Sequence, residues 1–197
     1  MSWVGIIIMF ALVDNVILSR LLGICPSVCG RGGMRAAVGT GLSMGVLMAA
    51  SSLAGWALDS LVLVPLGFTF LRTPAFLLAV AGLASGQHLA TRNVPWLRNL
   101  DAGASLPEVA VNCATLGIVL IVTRSGYTAW ECLVAGAAAG LGYFIVTALM
   151  TAIKERLEIE QAPRALRGLP LQLISAGLLA YAFMAFDHAF LARVLGG

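Results

Sequence analysis

The sequence predicts an all-α integral membrane protein of six transmembrane helices arranged as two inverted three-helix repeats, and three observations carry that expectation. The chain of 197 residues is 60% hydrophobic and 11% charged, against an apolar share of ~45–50% in soluble domains. Its apolar residues gather into blocks of about 20, the length a helix needs to cross ~30 Å of hydrocarbon. The charges lie between the blocks, and a net charge of +3 is too small to imply a nucleic-acid partner.

Helix one is expected over about 3–25. It opens without the basic region of a signal peptide and should be retained. Asp14 and Asn15 interrupt its apolar run, and Gly23 and Pro26, both helix-breaking residues, frame Cys25. Helix two, about 36–57, carries Gly41-xxx-Gly45, a spacing that lets helices approach closely in lipid. Met44 and Met48, one turn apart on it, read as packing rather than as metal ligands. Leu61 to Phe68 is apolar, broken by Pro65 and too short to span, so it should lie at an interface. Helix three, about 71–91, has a second glycine pair, Gly82-xxx-Gly86. Helix four, about 105–123, contains Leu106-Pro107 and Asn112 ahead of Cys113. Helix five, about 130–152, has Gly136-xxx-Gly140 and leads into Lys154-Glu155-Arg156-Leu157-Glu158. The charges there, three and four apart, read as a helical extension that could dock soluble subunits. Helix six covers about 170–192, and His88, Asp187 and His188 should be solvated.

Nine of the 12 Lys and Arg residues fall in connections one–two, three–four and five–six. Short cytoplasmic loops carry the positive excess, so both termini should face away from the cytoplasm. Three crossings are an odd number, which turns the second half upside down relative to the first. The result is one membrane domain with repeats over about 1–92 and 100–197, a layout of many transporters whose sites lie at mid-membrane on interrupted helices.

The chemistry points to sulfur. The four cysteines do not form a disulfide framework, because Cys25 and Cys113 lie within or near apolar segments rather than in a compact secreted domain. No haem-attachment, phosphate-loop, dinucleotide or zinc-protease motif is present. Cys25-xxx-Cys29 is a poor match to ferredoxin or zinc spacings. A single membrane cysteine can be simply a small packing group, but Cys25 and Cys113 form a pair in matching polar settings. An unbroken helix rising ~1.5 Å per residue would leave Cys25 at the cytoplasmic boundary, far from Cys113. A first segment that breaks at Asp14-Asn15 and turns back would bring it inward, with irregular backbone covered by protein. Thiolates at that depth make sense if they hold metal. Iron–sulfur clusters usually want four cysteine ligands. Cys29 lies toward the Arg31/Arg35 loop and Cys132 beside Trp130-Glu131 at the opposite interface, so two ligands from this chain and two from a partner is the better count.

These residues resemble the RnfA/NqrE family, membrane subunits of the Rnf electron-transport complex and of the sodium-pumping NADH:quinone reductase. The resemblance runs end to end, through Asn15-Val16-Ile17-Leu18, Leu22-Gly23-Ile24-Cys25-Pro26, Leu71-Arg72-Thr73, Asn112-Cys113-Ala114, Leu116-Gly117, Ile153 to Leu157 and Ser175 to Leu178. It implies interrupted first and fourth helices, with Cys25 and Cys113 as ligands to half of an intramembrane [2Fe-2S] cluster. An RnfE-like paralogue of opposite orientation would complete that cluster, in a complex with RnfB, RnfC, RnfD and RnfG types in a bacterial inner membrane. It further implies electrons arriving from a cytoplasmic iron–sulfur and flavin module and leaving to a flavin on the far side, coupled to Na+ or H+ movement. Asp14 stands where the family commonly has an amide, and Glu108 where an apolar residue is expected, so the roles of Asp14, Glu108, Cys29 and Cys132 stay open. A small inverted-repeat secondary transporter without a redox centre would also explain the spans and the acids, but it gives the paired cysteines no common role. In a purely structural subunit, serine at either cysteine would do little.

Overall fold

A computed structural model describes residues 3–13, 15, 18–20, 22–23, 33–93, 113–159 and 168–184. The regular structure among the described residues is all helical, and its six helical stretches fall where the apolar blocks lie. α1 is Trp3–Ile8, widening into a π-helical turn at Met9–Val13. α2 is Met34–Leu58, α3 Arg72–Asn93, α4 Cys113–Arg124, α5 Ala129–Ile159 and α6 Leu169–Phe183. Among the described residues two helices are long and apolar enough to cross a membrane, Ala36–Leu66 and Ala129–Leu157. Large apolar side chains cover the outside, with Val46, Leu61, Leu78, Leu141, Leu178 and Tyr181 each more than half exposed. Such a surface suits lipid and not water.

The stretch around Pro65 is part of α2 and not a separate short element. A π-helical turn at Asp59–Leu63 carries the helix on through Val64–Leu66, and Pro65, whose missing N–H would break a regular ladder, sits just past that turn. Gly67, at φ 72°, then stops the helix and returns its N–H to the Val64 carbonyl. Past the bend, the Arg72 guanidinium grips the Asp59 carboxylate through both nitrogens, Nη2 to Oδ2 at 2.8 Å. That bidentate pair fixes where α3 starts relative to the end of α2.

α2 and α5 form the central seam, and small residues set its spacing. A β-carbon at Gly140 would stand 2.5 Å from the Gly45 Cα, one at Gly136 2.8 Å from the Met48 carbonyl oxygen, and one at Gly41 3.2 Å from the Phe144 Cα. The numbers on α5 fall as those on α2 rise, so the two helices are antiparallel. Met44, Met48, Tyr143 and Val146 fill the seam and are essentially fully buried. In lipid, such association rests on close packing rather than on a hydrophobic drive between helices. At the α2 start, Glu155 on the extended end of α5 accepts the Met34 N–H at 3.2 Å, so this carboxylate caps a helix of its own chain. At the other end of α5, Glu131 accepts the Thr128 N–H and hydroxyl, both at 2.9 Å, which is the carboxylate half of a capping box.

The second glycine pair packs against none of the described residues. No atom lies within 4 Å of a β-carbon at Gly82 or Gly86. α3 turns a different stripe inward, burying Phe76 and Val80 against Val119 of α4, while Gln87 binds the Ser43 carbonyl and hydroxyl of α2 at 2.9 and 2.8 Å. Spacing marks which residues share a helix face, but not whether this chain supplies the neighbour.

Candidate functional site

Cys113 is the first residue of α4, and the register of the seam gives its height. A β-carbon at Gly55 of α2 would collide with the Val119 side chain. α4 is joined to α5 by a short connection, so it runs antiparallel to α5 and parallel to α2. Cys113 precedes Val119 by six residues, about 9 Å of helix rise, which places it level with position 49 of α2. That is near the middle of the apolar stretch Ala36–Leu66. The same level meets α5 near Gly136, about a quarter of the way along that helix.

The break in α1 is held at Gly142 of α5, six residues or about 9 Å along that helix from Gly136. By Asn15 the chain is no longer helical. Asn15, 2% exposed, donates from Nδ2 to the Ala11 carbonyl and to the Gly142 carbonyl of α5, both at 3.2 Å. The amide thus satisfies a carbonyl of the terminating helix and ties the break to α5. The contact requires glycine at 142, where a β-carbon would stand 2.8 Å from the Ala11 oxygen and 3.0 Å from Asn15 Nδ2. The chain then turns tightly, with Ser19 returning its N–H to the Asn15 carbonyl at 2.8 Å.

Gly23, eight residues after Asn15, donates its backbone N–H to Cys113 Sγ at 3.0 Å. A continuing helix would by then have run about 12 Å past Asn15. Instead the segment stays within a turn or two of the break, at the level of Cys113. Gly23 is buried and holds φ at 77°, a conformation that glycine adopts without penalty. The expected return of the first segment is therefore present as far as Gly23. Cys25 lies outside the described residues, as do Asp14, Cys29, Leu106-Pro107, Glu108 and Asn112.

Cys113 is exposed, with its sulfur accepting one hydrogen bond. A thiolate at this place would be favoured by that N–H. These features fit a cysteine that ligates metal and opens toward a further ligand set. Cys132 is different. It is fully buried in the first turns of α5, its thiol directed to the Tyr127 carbonyl at 3.7 Å, in keeping with a packing group. Among the described residues no three of His, Cys, Asp and Glu gather in a metal-binding group.

Reading the sequence missed Gly142, because its partner is the break in α1 and not the helix that the Gly136/Gly140 spacing serves. It also missed the Arg72–Asp59 pair, since two charges 13 residues apart in different elements leave no periodic trace.

Known proteins resemble this chain along nearly its whole length. A family model described as "Rnf-Nqr subunit, membrane protein" matches residues 3–190. The chain is 36% identical over 177 residues to a protein of Edwardsiella ictaluri named as the A component of the ion-translocating oxidoreductase complex, covering 89% of this chain and 91% of that one. Proteins with the same name from Shigella boydii and Serratia proteamaculans are 36% and 35% identical over 176 residues, with the same coverage of both chains.

Proposed function

The chain belongs to the Rnf-Nqr family of membrane subunits, and from that premise we propose that it is the A-type membrane component of an ion-translocating oxidoreductase complex, holding half of a [2Fe-2S] cluster. Cys25 and Cys113 are its two ligands in this reading, and an RnfE-like paralogue supplies the other two. The observation that carries the reading is the hydrogen bond from Gly23, two residues before Cys25, to the Cys113 sulfur, level with the middle of the long apolar helix α2. That contact supports a site to which the chain two residues further on contributes a second sulfur, and the exposed Cys113 leaves room for a second protein.

When bound, such a cluster supplies a one-electron station inside a barrier of ~30 Å that charged carriers cannot diffuse through. This chain's own residues build the setting for it. Asn15 and Gly142 hold the first helix open against α5. The Gly23 N–H offsets negative charge on Cys113. Packing of α2 against α5 excludes water on the inner side.

The remaining parts of the proposal follow the same assignment. The six helical stretches form two inverted triples, both termini lie on the periplasmic face of a bacterial inner membrane, and electron flow is coupled to Na+ or H+ movement with RnfB-, RnfC-, RnfD- and RnfG-type subunits. The test is the location of the iron. The purified complex should show a reducible two-iron signal by electron paramagnetic resonance, whereas this chain expressed alone should hold little iron, half the ligands being missing. A stoichiometric cluster in the isolated chain would refute the shared site.

A further inference from the structure

We propose that the backbone N–H of Gly23 sets the reduction potential of the shared cluster through Cys113, so that Gly23 is a positioning residue for electron transfer. The inference rests on the reading that Cys113 is a cluster ligand, and it adds a role for a residue that carries no side chain.

Three facts lead to it. The N–H reaches the sulfur at 3.0 Å from a residue 90 positions away, so the contact is tertiary and not a by-product of helix geometry. Gly23 is buried, where a hydrogen bond is electrostatically stronger than in water. Its φ of 77° is what aims the N–H, and a residue with a β-carbon holds that conformation only under strain, asparagine under less than most.

The direction of the effect follows from charge. Reduction adds one electron to the cluster and its sulfur ligands, making them more negative. A donor aimed at a ligand sulfur stabilises the reduced form more than the oxidised form, which raises the potential.

The test uses the whole complex, purified from cells fed 15N-glycine. Pulsed electron paramagnetic resonance of the reduced cluster should show a 15N coupling in the wild type. With the same labelling, the coupling should vanish in Gly23→Asn, which keeps the turn but carries no labelled nitrogen at 23, while the cluster signal persists. A redox titration should find the midpoint lowered in Gly23→Ala, whose β-carbon forces the turn away from φ 77°, and restored toward wild type in Gly23→Asn. A cluster signal without any glycine 15N coupling, or a coupling unchanged in Gly23→Asn, would overturn the inference and leave the cluster assignment standing. Absence of a cluster signal in the wild type would overturn both. Should Gly23→Ala fail to assemble, the isotope comparison decides alone.

Discussion

Alanine at Gly142 should harm this protein, while alanine at Gly82 should not, although both glycines lie within helices. A β-carbon at 142 would stand 2.8 Å from the Ala11 carbonyl oxygen, 3.0 Å from Asn15 Nδ2 and 3.3 Å from the Ala11 Cα. Two of those atoms are backbone and cannot swing aside, so α1 must move off α5. Overpacking of this kind costs about 1–3 kcal/mol. Moving α1 also stretches the Asn15 bond to Gly142, a further ~0.5–1.5 kcal/mol. The better helix propensity of alanine returns only about 1 kcal/mol, leaving a net loss of roughly 1–3 kcal/mol. At Gly82 no atom lies within 4 Å, so only the propensity gain remains. Thermal unfolding of the purified chain in detergent, followed by helical circular dichroism, compares the two variants directly. Equal midpoints, or a Gly142→Ala protein more stable than wild type, would refute the direct seating of the α1 break on α5.

Two other substitutions test the polar contacts. Ser51 and Thr115 are 1% and 0% exposed, and their hydroxyls find no hydrogen-bond partner among the described residues; Ser51→Ala and Thr115→Val should therefore leave the unfolding midpoint unchanged or raise it, and a fall of more than about 1 kcal/mol would show that a hydroxyl is satisfied after all. The bidentate Arg72–Asp59 pair, partly withdrawn from solvent, should show a coupling of about 1 kcal/mol or more in a double-mutant cycle of Arg72→Ala with Asp59→Ala, and additive single effects would contradict its role in setting the start of α3.

Much of this architecture was legible in the sequence because lipid imposes a coarse rule. Apolar blocks of spanning length marked the helices, and the polar pair Asp14-Asn15 marked the break, since an unsatisfied polar group in hydrocarbon is too costly to leave in a plain helix. The buried methionines at 44 and 48 and the glycines at 41, 45, 136 and 140 also follow from spacing. Other features depend on which surfaces meet, and spacing does not encode that. Gly82 and Gly86 have the same pattern as the glycines of the seam yet pack against none of the described residues, and Gly142 stands outside the pattern yet carries the closest approach to α1. Pro65 looked like a boundary because a proline usually ends a regular helix, but a π-helical turn lets α2 continue past it. At the site, Cys113 was legible from its setting. Gly23 was legible only as a helix breaker, because a backbone N–H leaves no signature of its target.

The central claim is that the sulfurs of Cys25 and Cys113 hold one iron centre, and its most direct test is the two-iron signal of the assembled complex in Cys25→Ser and in Cys113→Ser. Each substitution should abolish the reducible signal while the complex still purifies intact. Full signal amplitude in both variants would contradict the account.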